Sequence, residues 1–200
     1  LREGSDLVVM GTETVLATLT DDFPVRALLR DYAHVTWRVV EPGVPVPLDE
    51  GLSATAVPVG HKRPRYATSS RPDDGAVVAY RLTDPRTGRV AVYAPAVPSW
   101  DGPLVDAVAD ADCVVVDGTF WTDDEMVRGG TGGRLGRQMG HLPMSGPDGT
   151  AVRLAALAAR HKIYTHVNNT NPALDPDSAE HRELAERGIV IGRAGLRIKL

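Results

Sequence analysis

Three times in its second half, the chain passes from a predicted helix into a short apolar strand. The three helix and strand pairs cover residues 102–110 and 113–116, residues 149–159 and 162–167, and residues 179–187 and 189–191. Ser178 is suited to cap the third helix, and Gly188 is suited to end it. This alternation is typical of α/β proteins, in which the residues that follow parallel strands meet at one edge of the sheet.

The first half has a different rhythm, with short strands separated by turns. Strands are predicted over residues 6–10, 33–40, 52–59, 75–82 and 89–93. Between the first two strands, Asp21 or Asp22 can cap a short helix that runs to Tyr32. The last two strands are joined by Asp-Pro-Arg-Thr-Gly (84–88), which favours a hairpin. We therefore expect an antiparallel or mixed sheet here, within a single domain that includes all 200 residues.

The composition narrows the class of protein. Hydrophobic residues make up 42% of the chain, which is enough to bury a core, and no stretch approaches the roughly 18 apolar residues of a membrane span. The formal charge of -4, without a Lys/Arg-rich run of the kind that neutralises phosphates, argues against a nucleic acid partner. The single cysteine, Cys113, cannot form a disulfide within the chain and is predicted to be buried. We therefore expect a reducing, cytoplasmic compartment.

Three residues that could carry chemistry lie beside the strands of the second half. Asp117 follows the strand at 113–116, His166 lies at the end of the strand at 162–167, and His141 lies in the loop between them. A carboxylate and two imidazoles at one sheet edge can hold zinc or iron, or form an acid–base pair beside a metal. Two simpler interpretations stay open: Asp117 as a turn residue that bonds its own backbone, and His141 as a loop contact.

The residues after His166 strengthen its case as a metal ligand. Asn168, Asn169, Thr170 and Asn171 place four polar side chains in one short loop after an apolar strand. A solvated loop accounts for one or two of them. A set of side chains that orients a ligand histidine accounts better for the whole group.

A cationic segment follows the strand at 52–59. It contains His61, Lys62, Arg63 and Arg65. The cations would repel a metal ion bound by His61, but they suit the carboxylates of an anionic substrate. A metal role for His61 and a substrate role for its neighbours are both kept as hypotheses.

Together these segments resemble the PqqB family of pyrroloquinoline quinone (PQQ) biosynthesis, a branch of the metallo-β-lactamase superfamily. The most specific runs are Asp-Gly-Thr-Phe-Trp (117–121) and His-Val-Asn-Asn-Thr-Asn-Pro (166–172). Further matching stretches are residues 1–4, 62–66, 93–95, 122–126 and 139–141. The resemblance covers essentially the whole chain.

The resemblance implies a metallo-β-lactamase-like αββα sandwich with the metal site at one edge of its two sheets. In the family, Leu-Arg-Glu-Gly (1–4) follows directly after the first metal-binding loop, the counterpart of the superfamily motif His-x-His-x-Asp-His. That motif does not occur in these 200 residues. We therefore expect mainly the C-terminal two-thirds of the domain, N-terminally truncated. Alone, it should be inactive and poorly stable or self-associating.

The resemblance also implies roles for single residues. His166 matches the last metal-ligand histidine of the superfamily, and Asp117 and His141 match a proton-transfer pair in tRNA-processing relatives, so both are candidate catalytic residues. Tyr-Ala-Pro (93–95) lies where related hydrolases place a bridging aspartate, which favours one metal over two. His61 departs from the usual Gly-Lys of the family and is an additional candidate ligand.

For function, the resemblance implies iron-dependent hydroxylation of the tyrosine ring of a Glu–Tyr precursor derived from a peptide, with zinc as the alternative metal. Other PQQ-biosynthesis proteins are the expected partners, and a homodimer is one expected assembly. Two alternatives are a non-catalytic carrier of PQQ or its precursor towards the periplasm, and a metallo-hydrolase. The candidate substrate-binding residues are Lys62, Arg63, Arg65, Tyr66, Asn168, Asn169 and Asn171.

Overall fold

A seven-stranded sheet dominates the structure, a computed structural model that describes residues 6–68 and 75–200. Neighbouring strands are antiparallel from β3 to β6 and parallel from β6 to β9, which confirms the mixed sheet and the α/β second half. In spatial order, which is also chain order, the strands are β3 (Pro45–Pro47), β4 (Ser53–Gly60), β5 (Val77–Asp84), β6 (Arg89–Ala94), β7 (Cys113–Asp117), β8 (His161–Thr165) and β9 (Ile189–Ile191).

A second, parallel sheet has two strands, β1 (Leu7–Gly11) and β2 (Val35–Val39). The segment between them corrects the sequence prediction. A helix that was not predicted, α1 (Glu13–Ala17), continues into a π-helical turn over Thr18–Asp22, and α2 (Val25–Leu29) follows. Asp21 and Asp22 therefore lie inside the π-helical turn and do not cap α2. The N-cap of α2 is Pro24, which has no side-chain donor or acceptor.

Three helices of the second half lie where the sequence predicts them, with shorter ends, and two further short helices, Glu125–Arg128 and Gly136–Met139, were not predicted. Ser178 caps the last helix as predicted, because its hydroxyl accepts a hydrogen bond from the backbone N–H of His181 at 3.0 Å. Gly188 then ends it in the left-handed region, at φ +69°. The helices are α3 (Gly102–Val108), α4 (Glu125–Arg128), α5 (Gly136–Met139), α6 (Thr150–Ala156) and α7 (Ala179–Glu186).

The predicted hairpin joins β5 to β6. The Asp84 carboxylate accepts hydrogen bonds from the Arg86 backbone N–H at 2.9 Å and from the Thr87 hydroxyl at 2.8 Å. Gly88 adopts φ +71°, and its N–H donates to the Asp84 carbonyl. The turn is stabilised because the Asp84 side chain accepts hydrogen bonds from turn residues and because Gly88, which has no Cβ, adopts the left-handed conformation without strain.

The hydrophobic core surrounds β7. Val114 and Val116 on this strand are fully buried, and Leu104, Leu154 and Leu184 bring α3, α6 and α7 into the same cluster. Cys113 is buried as predicted, and burial raises the pKa of its thiol. The core therefore fixes the carboxyl end of β7, where Asp117 lies. Among the described residues, no helix is long and apolar enough to cross a membrane.

Candidate metal centre

Asp117 is the buried anchor of the site. It is the last residue of β7 and is 1% exposed. Its Oδ2 accepts a hydrogen bond from the Val97 backbone N–H at 3.0 Å, and its Oδ1 accepts one from the Thr119 N–H at 3.1 Å. Since a buried carboxylate is costly without partners, these donors hold the side chain in one orientation. The predicted turn contact is thus present.

His141 meets this carboxylate from the loop after α5. Its Nδ1 lies 2.7 Å from Asp117 Oδ2, and its side chain is largely buried. The backbone fixes the approach, because the N–H of Leu142 donates to the Val97 carbonyl at 2.9 Å. The edge of the His141 ring lies against Phe120, with centroids 6.1 Å apart. Val97 therefore holds both partners of the pair through one backbone unit.

His166 completes the cluster from the first position after β8. Its Nδ1 lies 2.8 Å from the Thr119 hydroxyl and 3.5 Å from Asp117 Oδ1. Its ring centroid is 5.3 Å from that of His141, and 55% of its side chain is exposed. The backbone φ of His166 is +57°, in a region that residues with a Cβ rarely adopt. The prediction that the residues beside these strands meet at one edge is confirmed by these contacts.

Thr119 joins the three side chains, and the sequence interpretation gave it no role. Its Oγ1 donates to Asp117 Oδ1 at 2.5 Å and lies 3.2 Å from His141 Nδ1. Because the Thr119 hydroxyl donates its single proton in the bond to Asp117, its oxygen can accept a hydrogen bond from an imidazole N–H. This arrangement places the proton of each imidazole on Nδ1 and leaves each Nε2 as a free acceptor. A threonine two residues after a strand-end aspartate was the available signal.

The donor set fits a metal ion. Ligand atoms of Asp117, His141 and His166 all lie within 4.8 Å of one another. Both Asp117 oxygens already accept hydrogen bonds, whereas among the described residues the imidazoles use only Nδ1 in their hydrogen bonds. An imidazole whose Nδ1–H is bonded to a carboxylate or hydroxyl is the usual form of a ligand histidine. The set therefore suits His166 as ligand and Asp117 as the group that orients the rings.

Close packing explains the glycine after Asp117. A Cβ on Gly118 would lie 2.5 Å from Met144 Cε and 2.9 Å from Tyr164 Cβ. Met144 is fully buried. Only a residue without a side chain lets β7 pass this closely beside β8 and deliver Thr119 to the site.

A cleft of about 210 Å³ opens beside His141. Lys62 and Arg63 are among its lining residues, together with Met139 and Gly140. Lys62 Nζ donates to the Gln138 carbonyl at 3.2 Å. Gly140 adopts φ +91°, and a Cβ there would lie 3.0 Å from Lys62 Cδ. The absence of a side chain at Gly140 lets the lysine stem lie along the end of α5.

Partial burial and the positive charges in and around this cleft lower the pKa of Lys62. Partial burial lowers the pKa of Lys62 below the ordinary lysine value, and the nearby charges of Arg134 and Arg65 lower it further. The cleft therefore carries excess positive charge beside His141, which an anionic ligand would neutralise.

The structure separates the other predicted residues from this cleft. Tyr66 is about half exposed, and its ring packs against Phe23 with centroids 5.2 Å apart, in a neighbouring cleft that Arg63 also lines. Arg65 is exposed beside Lys62. His61 is exposed after β4 and, within residues 6–68 and 75–200, does not join the group of clustered ligand atoms.

The three asparagines after His166 differ in exposure. Asn171 is 2% exposed, and its side chain donates to the Gly118 carbonyl at 3.1 Å and accepts from the Ala173 N–H at 3.0 Å. Asn168 is partly buried, whereas Asn169 is exposed. Asn171 faces the protein interior, so it supports the loop, and of the three Asn169 is the one most open to a substrate.

Comparisons with known proteins agree with this geometry. A family model described as "Beta-lactamase superfamily domain" matches residues 1–167. "Coenzyme PQQ synthesis protein B" of Azotobacter vinelandii is 40% identical over 204 residues, and that of Pseudomonas fluorescens is 37% identical. Each match covers 100% of this chain and 67% of the relative. The chain thus spans about two-thirds of their length.

Solved structures show the same fold. The crystal structure of Zn(2+)-bound PqqB from Methylobacterium extorquens superposes with a TM-score of 0.85 at 29% identity, covering 100% of this chain and 67% of that one. A diphosphatase from the PhnP family, at 17% identity and a TM-score of 0.60, covers 96% of this chain and 57% of that one and shares the fold alone. The predicted metallo-β-lactamase fold is confirmed, and the chain belongs to the PqqB family of coenzyme PQQ synthesis proteins.

Proposed function

We propose that the protein acts in PQQ biosynthesis as a metal-dependent enzyme that hydroxylates the tyrosine ring of a Glu–Tyr-derived precursor. The observation that carries the proposal is the cluster of Asp117, His141 and His166 beside a cationic cleft. The names of the relatives, coenzyme PQQ synthesis protein B, support the pathway. The Methylobacterium extorquens relative, which is Zn(2+)-bound, supports metal binding by this chain.

His166 would hold the metal through its free Nε2, with His61 as the additional candidate ligand. Iron, when bound, supplies the dioxygen activation that aromatic hydroxylation needs and that side chains lack. The reaction replaces one ring hydrogen with a hydroxyl group. One atom of O2 enters the ring and the other leaves as water, so a reductant from outside the protein provides two electrons, and two protons are consumed.

The Asp117–His141 pair would handle a proton. Since Asp117 Oδ2 lies 2.7 Å from His141 Nδ1, the carboxylate holds the ring with Nε2 free to accept or return a proton at the substrate. The burial of Asp117 keeps solvent away from this contact. Asp117 thus orients and stabilises the protonated ring and does not itself need to leave its position.

The cationic cleft would bind the carboxylates of the substrate. Lys62 and Arg63 line it beside His141, and the charge of Arg65 acts on Lys62. Tyr66 and Asn169 lie outside the cleft lining but are exposed, and they would contact the remainder of the substrate. A cytoplasmic location, a homodimer and contacts with other PQQ-biosynthesis proteins remain part of the proposal.

One observation favours a second candidate, a metallo-hydrolase. The M. extorquens relative holds Zn(2+), a metal without redox chemistry that commonly activates water. Tyr93 and Ala94, at the end of β6, supply no carboxylate to bridge two metals, which favours a single metal and thus the first candidate.

Metal analysis of the purified protein, expressed at the full length of its relatives, combined with oxygen consumption on a Glu–Tyr substrate, tests the proposal. We expect bound iron and iron-dependent oxygen uptake with a hydroxylated ring as product. Lys62→Gln should raise KM, and Lys162→Gln, a lysine that bonds the Ala155 carbonyl, is the matched control. Two zinc ions with ester hydrolysis would replace the proposal with a hydrolase. Tight PQQ binding without metal would replace it with a carrier.

A further inference from the structure

A buried carboxylate lies outside the cluster just described. Glu125, in the first turn of α4, is 7% exposed. Its Oε2 accepts a hydrogen bond from the Trp121 backbone N–H at 2.7 Å, and its Oε1 accepts one from the Thr170 hydroxyl. Thr170 belongs to the loop after β8, so Glu125 joins the segment after Asp117 to the loop that begins at His166.

The connection continues towards the site. The Thr170 hydroxyl accepts a hydrogen bond from the Asn168 side-chain amide at 2.6 Å. The backbone N–H of Asn168 donates to the Thr119 carbonyl at 3.1 Å. A continuous path of hydrogen bonds thus leads from Glu125 to Thr119, whose hydroxyl lies 2.8 Å from His166 Nδ1.

The loop needs such support because of its backbone. His166 adopts φ +57°, a conformation that persists only where surrounding contacts determine it. The N–H of Asn171 donates to the Asn168 carbonyl at 3.0 Å, and its side chain bonds the Gly118 carbonyl. Asn171 therefore holds one side of the loop, and Glu125 holds the other.

We propose that Glu125 is a positioning residue for His166: its buried carboxylate fixes Thr170 and Asn168, and thereby holds the imidazole at Thr119. Part of this inference rests on the proposed role of His166 as metal ligand, whereas the holding of the loop does not. The effect of Glu125 passes through hydrogen bonds, because within the described part of the chain its carboxylate bonds Trp121 and Thr170 and neither imidazole.

Thr170→Val tests the connection because it removes the hydroxyl and keeps the side-chain shape. Thr122→Val is the matched control, since Thr122 lies just before Glu125 in the chain and its hydroxyl bonds Asp124 and Arg128 instead of Glu125. We expect hydrogen exchange at the Asn168 and Asn171 amides to quicken about tenfold in Thr170→Val. In Thr170→Val, hydrogen exchange at the β8 amides should stay unchanged. In the control Thr122→Val, exchange at the Asn168 and Asn171 amides should also stay unchanged.

Glu125→Ala and Glu125→Gln separate positioning from general stability. The glutamine side chain can accept from the Trp121 N–H and donate to the Thr170 oxygen. Glu125→Gln should therefore keep the slow loop exchange and the His166 ring NMR signal of the unsubstituted protein. Glu125→Ala should lose both. Cobalt(II) affinity should fall about tenfold in Thr170→Val and Glu125→Ala.

Two results have distinct meanings. Unchanged loop exchange in both Thr170→Val and Glu125→Ala would overturn the positioning role, whether or not metal binds. Faster loop exchange with no cobalt binding by the unsubstituted protein would leave the positioning role standing and refute the proposed metal function.

Discussion

The Asp117 carboxylate and the His141 imidazole form a hydrogen-bonded pair, with Oδ2 and Nδ1 2.7 Å apart and the carboxylate inaccessible to solvent. The same oxygen accepts the Val97 backbone N–H. Oδ1 likewise accepts from the Thr119 N–H and hydroxyl, so an amide nitrogen in place of either oxygen would face donors and lose their hydrogen bonds. The pair is therefore sensitive to the loss of a single charge.

Asp117→Asn should lower activity by about 10- to 100-fold while the fold is retained, because His141 loses the partner that selects its Nδ1–H tautomer. Activity on the Glu–Tyr substrate and the ¹⁵N NMR shifts of the His141 ring check this. Asp123→Asn is the matched control, since Asp123 bonds the Arg137 backbone N–H nearby and does not touch the rings. Equal losses in both variants would contradict the special role of Asp117.

The two histidines should respond differently to removal. In the proposed mechanism His166 is the metal ligand and His141 transfers a proton, so His166→Ala should abolish metal binding, whereas His141→Ala should leave it largely intact. Metal content after dialysis and cobalt(II) titration provide the measurement. If both variants retain metal equally, the ligand assignment is wrong.

How much of this site follows from sequence depends on the kind of contact. Asp117 and His166 were predictable because parallel strand ends share one edge, and an apolar run marks each strand. The contact of Asp117 with Val97 was not predictable, since it joins an irregular segment to a strand 20 positions later through a backbone N–H that any residue supplies.

The same reasoning explains other differences between prediction and structure. Asp22 looks like a helix cap, but the helix of α1 continues through it as a π-helical turn, so packing overrode the local signal. Glu125 reads as an ordinary charged residue in a short helix. In the structure it is buried, and its carboxylate accepts a hydrogen bond from Thr170, which lies 45 positions away in the chain.

The two-stranded sheet should make the isolated 200 residues associate with one another. Val8 is 55% exposed and Val39 is 63% exposed, and this sheet has two strands only among the described residues. Exposed apolar strands favour edge pairing and association. Sedimentation velocity should show larger species as concentration rises.

Val8→Glu should shift these species back to monomer. Val152→Glu, on the exposed face of α6 at 43% exposure, is the matched control and should leave association unchanged. A monomer that unfolds in one sharp two-state transition at all concentrations would contradict the prediction.

Acid should destabilise the protein through Asp112. The Val90 backbone N–H donates to Asp112 Oδ2 at 3.0 Å and the Arg89 guanidinium pairs with Oδ1, and both hold the carboxyl pKa below its ordinary value of 3.8. A carboxyl group whose pKa is lower in the folded state than in the unfolded state stabilises the fold fully above the unfolded pKa. This contribution is lost as the pH falls through the folded pKa.

Thermal unfolding from pH 6 to pH 2 should therefore show a shallower decline of Tm below pH 3.8 in Asp112→Asn than in the unsubstituted protein. Asp148→Asn, at an exposed turn, should keep the original slope. Parallel Tm curves for all three proteins would show that Asp112 contributes nothing to acid sensitivity.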